Sequence, residues 1–221
     1  MPTSTVENYL KQIHHLQQHA PGPLVSMGKL AEAVGVSPGT ATAMIKTLGD
    51  SGLVDYEPRG GVRLSNEGER LALHVLRRHR LIELFLVDVL GLNWTEVHVE
   101  AEVLEHAISD KVLDRIDRLL GHPTTDPHGD PIPTAAGTLS HQHYRSLVEC
   151  GVGEIVRIRR LSDQDPSFLQ FMDQHGLTPG IDMSIVAHSD AAEAVTVRPD
   201  GGRDITVGRG AAAKVLVESM S

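Results

Sequence analysis

Hydrophobic residues recur at helical intervals from Val6 to about Leu120. Beyond a stretch broken by Pro123, Pro127, Gly129, Pro131, Pro133 and Gly137, they recur in short β-like runs from Gly153 onward. A stripe repeating every 3.6 residues is buried by a helix and one repeating every two by a strand, so the chain needs separately built helical and sheet cores. Its 221 residues suffice for two or three small domains. The expected fold class is mainly α with a small β domain.

Local punctuation divides the helical part further. Ser4-Thr-Val-Glu7 has capping-box spacing and opens a helix to about His19, stopped by Ala20-Pro-Gly-Pro23. A helix over about Met27 to Val34, a turn at Gly35, and a helix from Pro38 to Asp50 follow, with Ser37 as N-cap and Pro38 at the favoured first position. Leu53 to Glu57 and Gly61 to Leu64, joined through Pro58-Arg-Gly-Gly61, predict a β-hairpin. A helix–turn–helix followed by a hairpin is a winged helix. Helical pattern resumes from Asn66 to about Val89, and again from Asn93 to about Leu120, a pair expected to pack as a hairpin. The breakers between Thr124 and Thr138 suit a linker. Five short β runs between Glu154 and Val217, with one helix near Pro166 to His175, predict a small barrel. The expected domains are 1–73, 74–140 and 153–221, with 141–152 as linker.

A net charge of −9 suits nucleic acid poorly until it is divided along the chain. Residues 1–80 hold nine Lys/Arg against seven Asp/Glu, residues 81–150 four against twelve, and residues 151–221 seven against ten. A DNA-touching part and an acidic, cation-seeking part are therefore expected as separate modules. No run approaches the roughly 18 apolar residues of a membrane span, and the opening residues lack a basic then apolar region, so a cytoplasmic protein without a membrane partner is expected. The single Cys150 excludes a disulfide framework or a Cys-rich cage within one chain, leaving His and carboxylate as metal ligands.

Such ligands cluster. At 100° per residue, a continuous helix from Asn93 places His98, Glu102, Glu105 and His106 on one stripe beside an apolar one of Val97, Ala101, Leu104 and Ile108. His79 and Glu83 lie one turn apart on the preceding helix. One Glu/His pair is ordinarily a solvated helix face, whereas two such pairs with Glu105 on facing helices suit an ion, which offsets the cost of clustering carboxylates. The oxygen-rich set favours Mn²⁺ or Fe²⁺ in function, while Zn²⁺, Co²⁺ or Cd²⁺ are expected to bind in vitro. The other histidines, His128 among them, read as ordinary loop or surface residues, and Cys150 as structural.

On the helix from Pro38, Ala41, Met44, Ile45 and Leu48 point inward, leaving Gly39, Thr42, Ala43 and Lys46 outward, with Ser37 and Thr40 at its start. Small residues let the backbone approach a groove floor, and Lys46, Arg59 in the wing tip and Arg63 can reach phosphates. No Arg, Asn or Gln on this face can make a bidentate base contact, so sequence choice leans on apolar contacts, water and DNA shape. Two other readings stay open: a winged-helix regulator with a purely structural metal, and a His/Glu metalloenzyme. The second lacks a legible base, nucleophile or oxyanion donor.

Arg78-His-Arg-Leu-Ile-Glu83, Val97-His98, Glu102, Leu104-Glu-His106, Ser109-Asp110 and Gly129-Asp-Pro-Ile-Pro133 together resemble the DtxR/MntR family of iron- and manganese-dependent transcriptional repressors. The match covers nearly the whole chain. It implies a non-enzymatic regulator with a winged-helix DNA-binding domain and a helical dimerisation and metal-binding domain. A C-terminal SH3-like (FeoA-like) domain follows, where Gly176-Leu-Thr-Pro-Gly180 is also similar. A homodimer binding double-stranded operator DNA is implied. By resemblance His79, Glu83 and His98 match an ancillary metal site completed from the stretch Asp163-Gln-Asp-Pro-Ser167. Gln164 and Ser167 fall nearest the expected positions, while Asp163 and Asp165 are the better ligands chemically. Glu102, Glu105 and His106 match the regulatory site, completed by Asn8 of the first helix. Glu102 stands where iron-type members carry Cys, which favours Mn²⁺ over Fe²⁺. Asn8 stands where the branches carry Asp or Met, and Lys11 where some manganese-type members place a ligating Glu, so a single ion is expected at that site.

Overall fold

The computed structural model describes residues 3–19, 22, 24–140 and 142–220. The breaker expected at Ala20, Pro21 and Pro23 lies outside them. The chain forms two compact units: one runs up to His79 and includes 105–107 and 133–139, and the other holds 80–104, 108–132 and the chain from Ser140 onward.

In the first unit α1 (Ser4–His19), α2 (Met27–Val34) and α3 (Pro38–Asp50) precede a hairpin of β1 (Val54–Glu57) and β2 (Gly61–Leu64). Each start and stop has a local cause. Ser26 and Ser37 cap α2 and α3 by accepting from the Lys29 and Thr40 amides, and Gly35 ends α2 in the left-handed region that glycine tolerates without strain. The hairpin pairs Val54 with Leu64 through Glu57 with Gly61. Its Gly61 lies so close to the Val25 backbone that a Cβ would stand 2.5 Å from that carbonyl oxygen. Tyr9, Leu10, Ile13, Leu30, Ala41, Ile45, Leu48, Val54 and Val62 close one core, which locks α1 to the helical pair and the hairpin.

The helix α4 (Asn66–Asp88) ends near the expected residue, but the next one does not run from Asn93 to Leu120. It is broken into α5 (Val97–Leu104) and α6 (Asp110–Leu119), because Ser109 accepts from the Val112 amide and caps a new helix with Asp110 in its first turn. In the second unit Leu81, Leu113, Ile116 and Ile132 form one small core and Ile82, Leu86, Val97 and Ala101 another.

The remaining strands are β3 (Arg145–Ser146), β4 (Ile155–Leu161), β5 (Asp182–Ser189), β6 (Ala194–Pro199), β7 (Ile205–Gly208) and β8 (Val215–Ser219), with α7 (Pro166–Gln174) between β4 and β5. They form one antiparallel sheet in the order β3-β8-β4-β5-β6-β7. Val156, Ile158, Leu161, Leu169, Met172, Val197 and Val217 fill the core beneath it. Past Ile158, β4 outruns its partner β5, and its Leu161 amide donates instead to the His128 carbonyl at 2.9 Å. The 126–130 loop thereby docks on the sheet domain, which corrects the linker reading: a free backbone flank at the end of β4 gives the loop a hydrogen-bonding partner.

Candidate metal centre

In the first unit, α1 presents Glu7, Asn8 and Lys11 to the segment after α5, which carries Glu105 and His106. Glu105 is fully buried; its Oε1 lies 2.6 Å from Lys11 Nζ and its Oε2 2.6 Å from His79 Nδ1. His106 has Nδ1 2.6 Å from Glu7 Oε2, Nε2 2.7 Å from Asn8 Oδ1, and Nε2 3.4 Å from Glu105 Oε1. Burial alone would raise the Glu105 carboxyl. The His79 hydrogen bond and the charges of Lys11 and His79 reverse this and hold it below the usual carboxylate range. The buried carboxylate already holds a cation, the Lys11 ammonium, and imidazole, carboxylate and amide oxygen meet around it. This donor set fits one divalent ion that competes with Lys11 for Glu105.

The second unit holds a group that sequence reasoning missed. Glu83, Asp126 and His128 offer ligand atoms within 4.8 Å of one another, all buried. Asp126 shapes its loop by accepting from the His128 and Asp130 amides at 2.8 and 2.9 Å through Oδ1, while its Oδ2 has no hydrogen-bond partner among the described residues. Among the described residues, three buried carboxyl groups, Glu83, Asp126 and Asp130, gather here; the Arg80 guanidinium lies 3.6 Å from Asp126 and from Asp130, and that of Arg160 2.5 Å from Asp130. Burial first, then the charges of Asp130 and Glu83, pushes the Asp126 carboxyl well above the usual carboxylate range. Clustered buried carboxyl groups are costly to ionise together, and a bound cation offsets that cost. The residues therefore fit a metal. The reading of His128 as ordinary is corrected: it is fully buried, because the docked loop turns its ring inward. Asp126-Pro-His128, ahead of the Gly129-Asp-Pro-Ile-Pro133 element, was the available signal; taking the breakers as a linker hid it.

The other sequence-derived ligands divide as follows. His98, less buried, has Nδ1 3.2 Å from Glu83 Oε1 and Nε2 3.5 Å from Glu102 Oε1. The single helical stripe expected to carry His98, Glu102, Glu105 and His106 does not exist, since α5 ends at Leu104. Asp165 caps α7 by accepting from the Ser167 and Phe168 amides, and Asp163 pairs with Lys214. Gln164 is half-buried. Among the described residues neither Asp163 nor Asp165 belongs to a His/carboxylate group of three.

On α3, Ser37, Gly39, Thr40, Ala43 and Lys46 are exposed and Thr42 is half-buried. The Thr42 hydroxyl donates to the Pro38 carbonyl at 2.7 Å, and the Ser37 and Thr40 hydroxyls bond each other at 2.9 Å, so these hydroxyls are engaged within the helix start. Arg59 is exposed at the wing tip with φ +68°. Arg63, also exposed, is paired with Asp55 at 3.0 Å, directly across the hairpin.

Comparison with known proteins bears on the domains that carry these residues. Three family models match in succession: the iron dependent repressor N-terminal DNA binding domain over residues 1–62, the iron dependent repressor metal binding and dimerisation domain over 65–134, and the FeoA domain over 145–219. The iron-dependent repressor IdeR of Mycobacterium tuberculosis is 38% identical over 149 residues, spanning 67% of this chain and 59% of that protein. The diphtheria toxin repressor of Corynebacterium efficiens is 36% identical over 132 residues, 60% of this chain and 56% of that one. The chain thus spans under two thirds of the length of these curated relatives. Among solved structures, a manganese-dependent transcriptional repressor in complex with manganese superposes with a TM-score of 0.87 at 41% identity, covering 97% of this chain and 100% of that one. ScaR with bound Cd²⁺ superposes at 0.80 with 31% identity, covering 99% and 100%. A winged helix, a helical segment with buried His/carboxylate clusters and a FeoA-type SH3-like sheet domain, in that order, define the modular class of the iron dependent repressors. The chain belongs to the family of iron- and manganese-dependent repressors that includes IdeR and the diphtheria toxin repressor.

Proposed function

We propose that this chain is a metal-dependent DNA-binding repressor of metal-ion homeostasis, with Mn²⁺ as its effector and Fe²⁺ as second choice, acting on operator DNA as a cytoplasmic homodimer. The observation that carries this reading is the sharing of one compact unit by the α3 face and the Asn8, Glu105 and His106 cluster. Asn8 sits on α1, whose Tyr9, Leu10 and Ile13 belong to the same core as Ala41 and Ile45 of α3. An ion held by Asn8, Glu105 and His106 supplies a charge that ties the segment after α5 to the winged helix, which sets the angle at which α3 is presented. Linkage then converts metal binding into DNA affinity, typically about 1 to 3 kcal/mol per site in coupled systems. His79, Glu83, His98 and Glu102, with Asp126 and His128, supply the remaining ligands. The preference for Mn²⁺ rests on oxygen and imidazole donors without thiolate, Glu102 included; Cys150 is buried, and burial pushes its thiol up.

Fluorescence anisotropy of duplexes selected in the presence of Mn²⁺, using chelator-stripped protein titrated anaerobically with Mn²⁺ or Fe²⁺ at fixed salt, tests this. Tight binding is expected only with metal, and at lower free Mn²⁺ than Fe²⁺; equal binding without metal would overturn the reading. Lys46→Ala is expected to weaken all sequences alike and reduce the slope of log affinity against log salt by about one. Val99 and Val103 lie four apart on α5 and are each 67% exposed, with Val89, Leu90 and Leu92 also exposed in the same unit. The exposed Val99 and Val103, one turn apart on α5, suit contact with a second copy of the chain. Val103→Asp is expected to convert a sedimenting dimer to monomer.

A further inference from the structure

Trp94, the single tryptophan of the chain, stands just ahead of α5 in the second unit, in a turn closed by Asn93 Oδ1 accepting from the Thr95 amide at 3.0 Å. Its backbone carbonyl lies 3.0 Å from His128 Nε2. A carbonyl oxygen only accepts, so Nε2 carries the hydrogen, which leaves Nδ1 as the ring nitrogen able to present a lone pair to a cation. That Nδ1 has no hydrogen-bond partner among the described residues and lies 3.9 Å from Glu83 Oε2 and 3.9 Å from Asp126 Oδ1. Two atoms each about 2.1 Å from one ion stand at most about 4.2 Å apart, so this spacing is within reach of a shared cation.

The indole of the same residue faces the sheet domain. Its Nε1–H donates to Asp173 Oδ1 on α7 at 2.7 Å, and its ring packs on the sheet-domain core and against the His128 ring, centroids 5.7 Å apart. One residue therefore touches both the imidazole and the sheet domain.

We propose that Trp94 is a positioning residue that couples the sheet domain to the metal cluster: its carbonyl fixes the His128 tautomer a cation requires, and its indole, held by Asp173, fixes the carbonyl. The inference rests on the reading of Glu83, Asp126 and His128 as ligands. Partners that orient a ligating imidazole typically contribute 10- to 100-fold in metal affinity. By linkage, whatever loosens the indole from α7 weakens the ion, and the ion in turn strengthens the docking.

The test uses full-length, chelator-stripped protein titrated with Mn²⁺ alone, free ion being read by electron paramagnetic resonance. Long-range ¹H–¹⁵N spectra of histidine-labelled protein report the tautomer. Wild type is expected to show His128 with Nε2 protonated and Nδ1 unprotonated, and Cd²⁺ to shift Nδ1. Trp94→Phe keeps the carbonyl and the ring but loses the donor; Asp173→Ala removes an exposed acceptor from the surface of α7. Each is expected to weaken one Mn²⁺ site about tenfold and to mix the two tautomers, while His128→Ala loses that site. Unchanged Mn²⁺ binding in His128→Ala would overturn the ligand reading. Loss of the site in His128→Ala, with wild-type affinity and a single tautomer in the other two variants, would overturn only the coupling. Weakening in Trp94→Phe alone would assign the effect to ring packing and overturn the role of Asp173.

Discussion

Glu105→Gln is expected to bind operator in saturating Mn²⁺ no better than metal-free wild type, a loss of roughly 5- to 150-fold if the coupling has its usual size. Glu105 is the fully buried carboxylate on which Lys11, His79 and His106 all converge. Glutamine keeps the volume and still accepts a hydrogen bond, but it lacks the charge with which an ion would displace Lys11. Either substitution, glutamine or alanine, leaves the buried Lys11 ammonium without its carboxylate, at a cost of about 3 to 5 kcal/mol; alanine is the poorer probe because it adds a cavity and removes the acceptor as well. The pair Lys11→Met with Glu105→Gln removes both charges and is expected to melt near wild type while remaining blind to Mn²⁺. If Mn²⁺ still raised the operator affinity of Glu105→Gln by the wild-type factor, the regulatory role of this cluster would be lost.

Gly129→Ala is expected to be the most destabilising single methyl in the second unit. Gly129 has φ +84°, and a Cβ there would stand 2.0 Å from the Arg159 carbonyl oxygen and 2.9 Å from Arg160 Cα. The opposing atoms are strand backbone and cannot swing aside. The positive φ alone costs about 1 to 3 kcal/mol, and relief of the overlap must lift the 126–130 loop off β4, breaking the bond from the Leu161 amide to His128. A total above about 3 kcal/mol lowers the melting temperature by roughly 6 to 12 °C, readable by calorimetry. Because the same loop carries Asp126 and His128, one Mn²⁺ site is expected to weaken with it. A variant that melted and bound Mn²⁺ as wild type would show that the loop is not seated on the strand.

The winged helix was legible because its signals are local. Ser37 ahead of Pro38, the turn at Gly35, and the Gly60-Gly61 hairpin each act within four residues, and the observed limits of α2, α3 and β2 are those expected. The helix break after Leu104 is also local, yet apolar spacing continues through Ile108 and in the sequence outweighs the Ser109-Asp110 cap. The six histidines and glutamates of the two helical segments stood out by their spacing. Asp126 and His128 did not, because nothing within a proline-rich loop shows whether it is buried.

The order and type of elements, their caps and turns, and the choice of His and carboxylate over thiolate were thus determined by the sequence itself, through interactions spanning a few residues. The meeting of Lys11 with Glu105, 94 residues apart, and of Trp94 with Asp173, 79 apart, was decided only by the tertiary structure. The reason is physical: hydrogen bonds and apolar periods of single elements are set along the chain, whereas desolvation depends on what packing brings against each group from elsewhere.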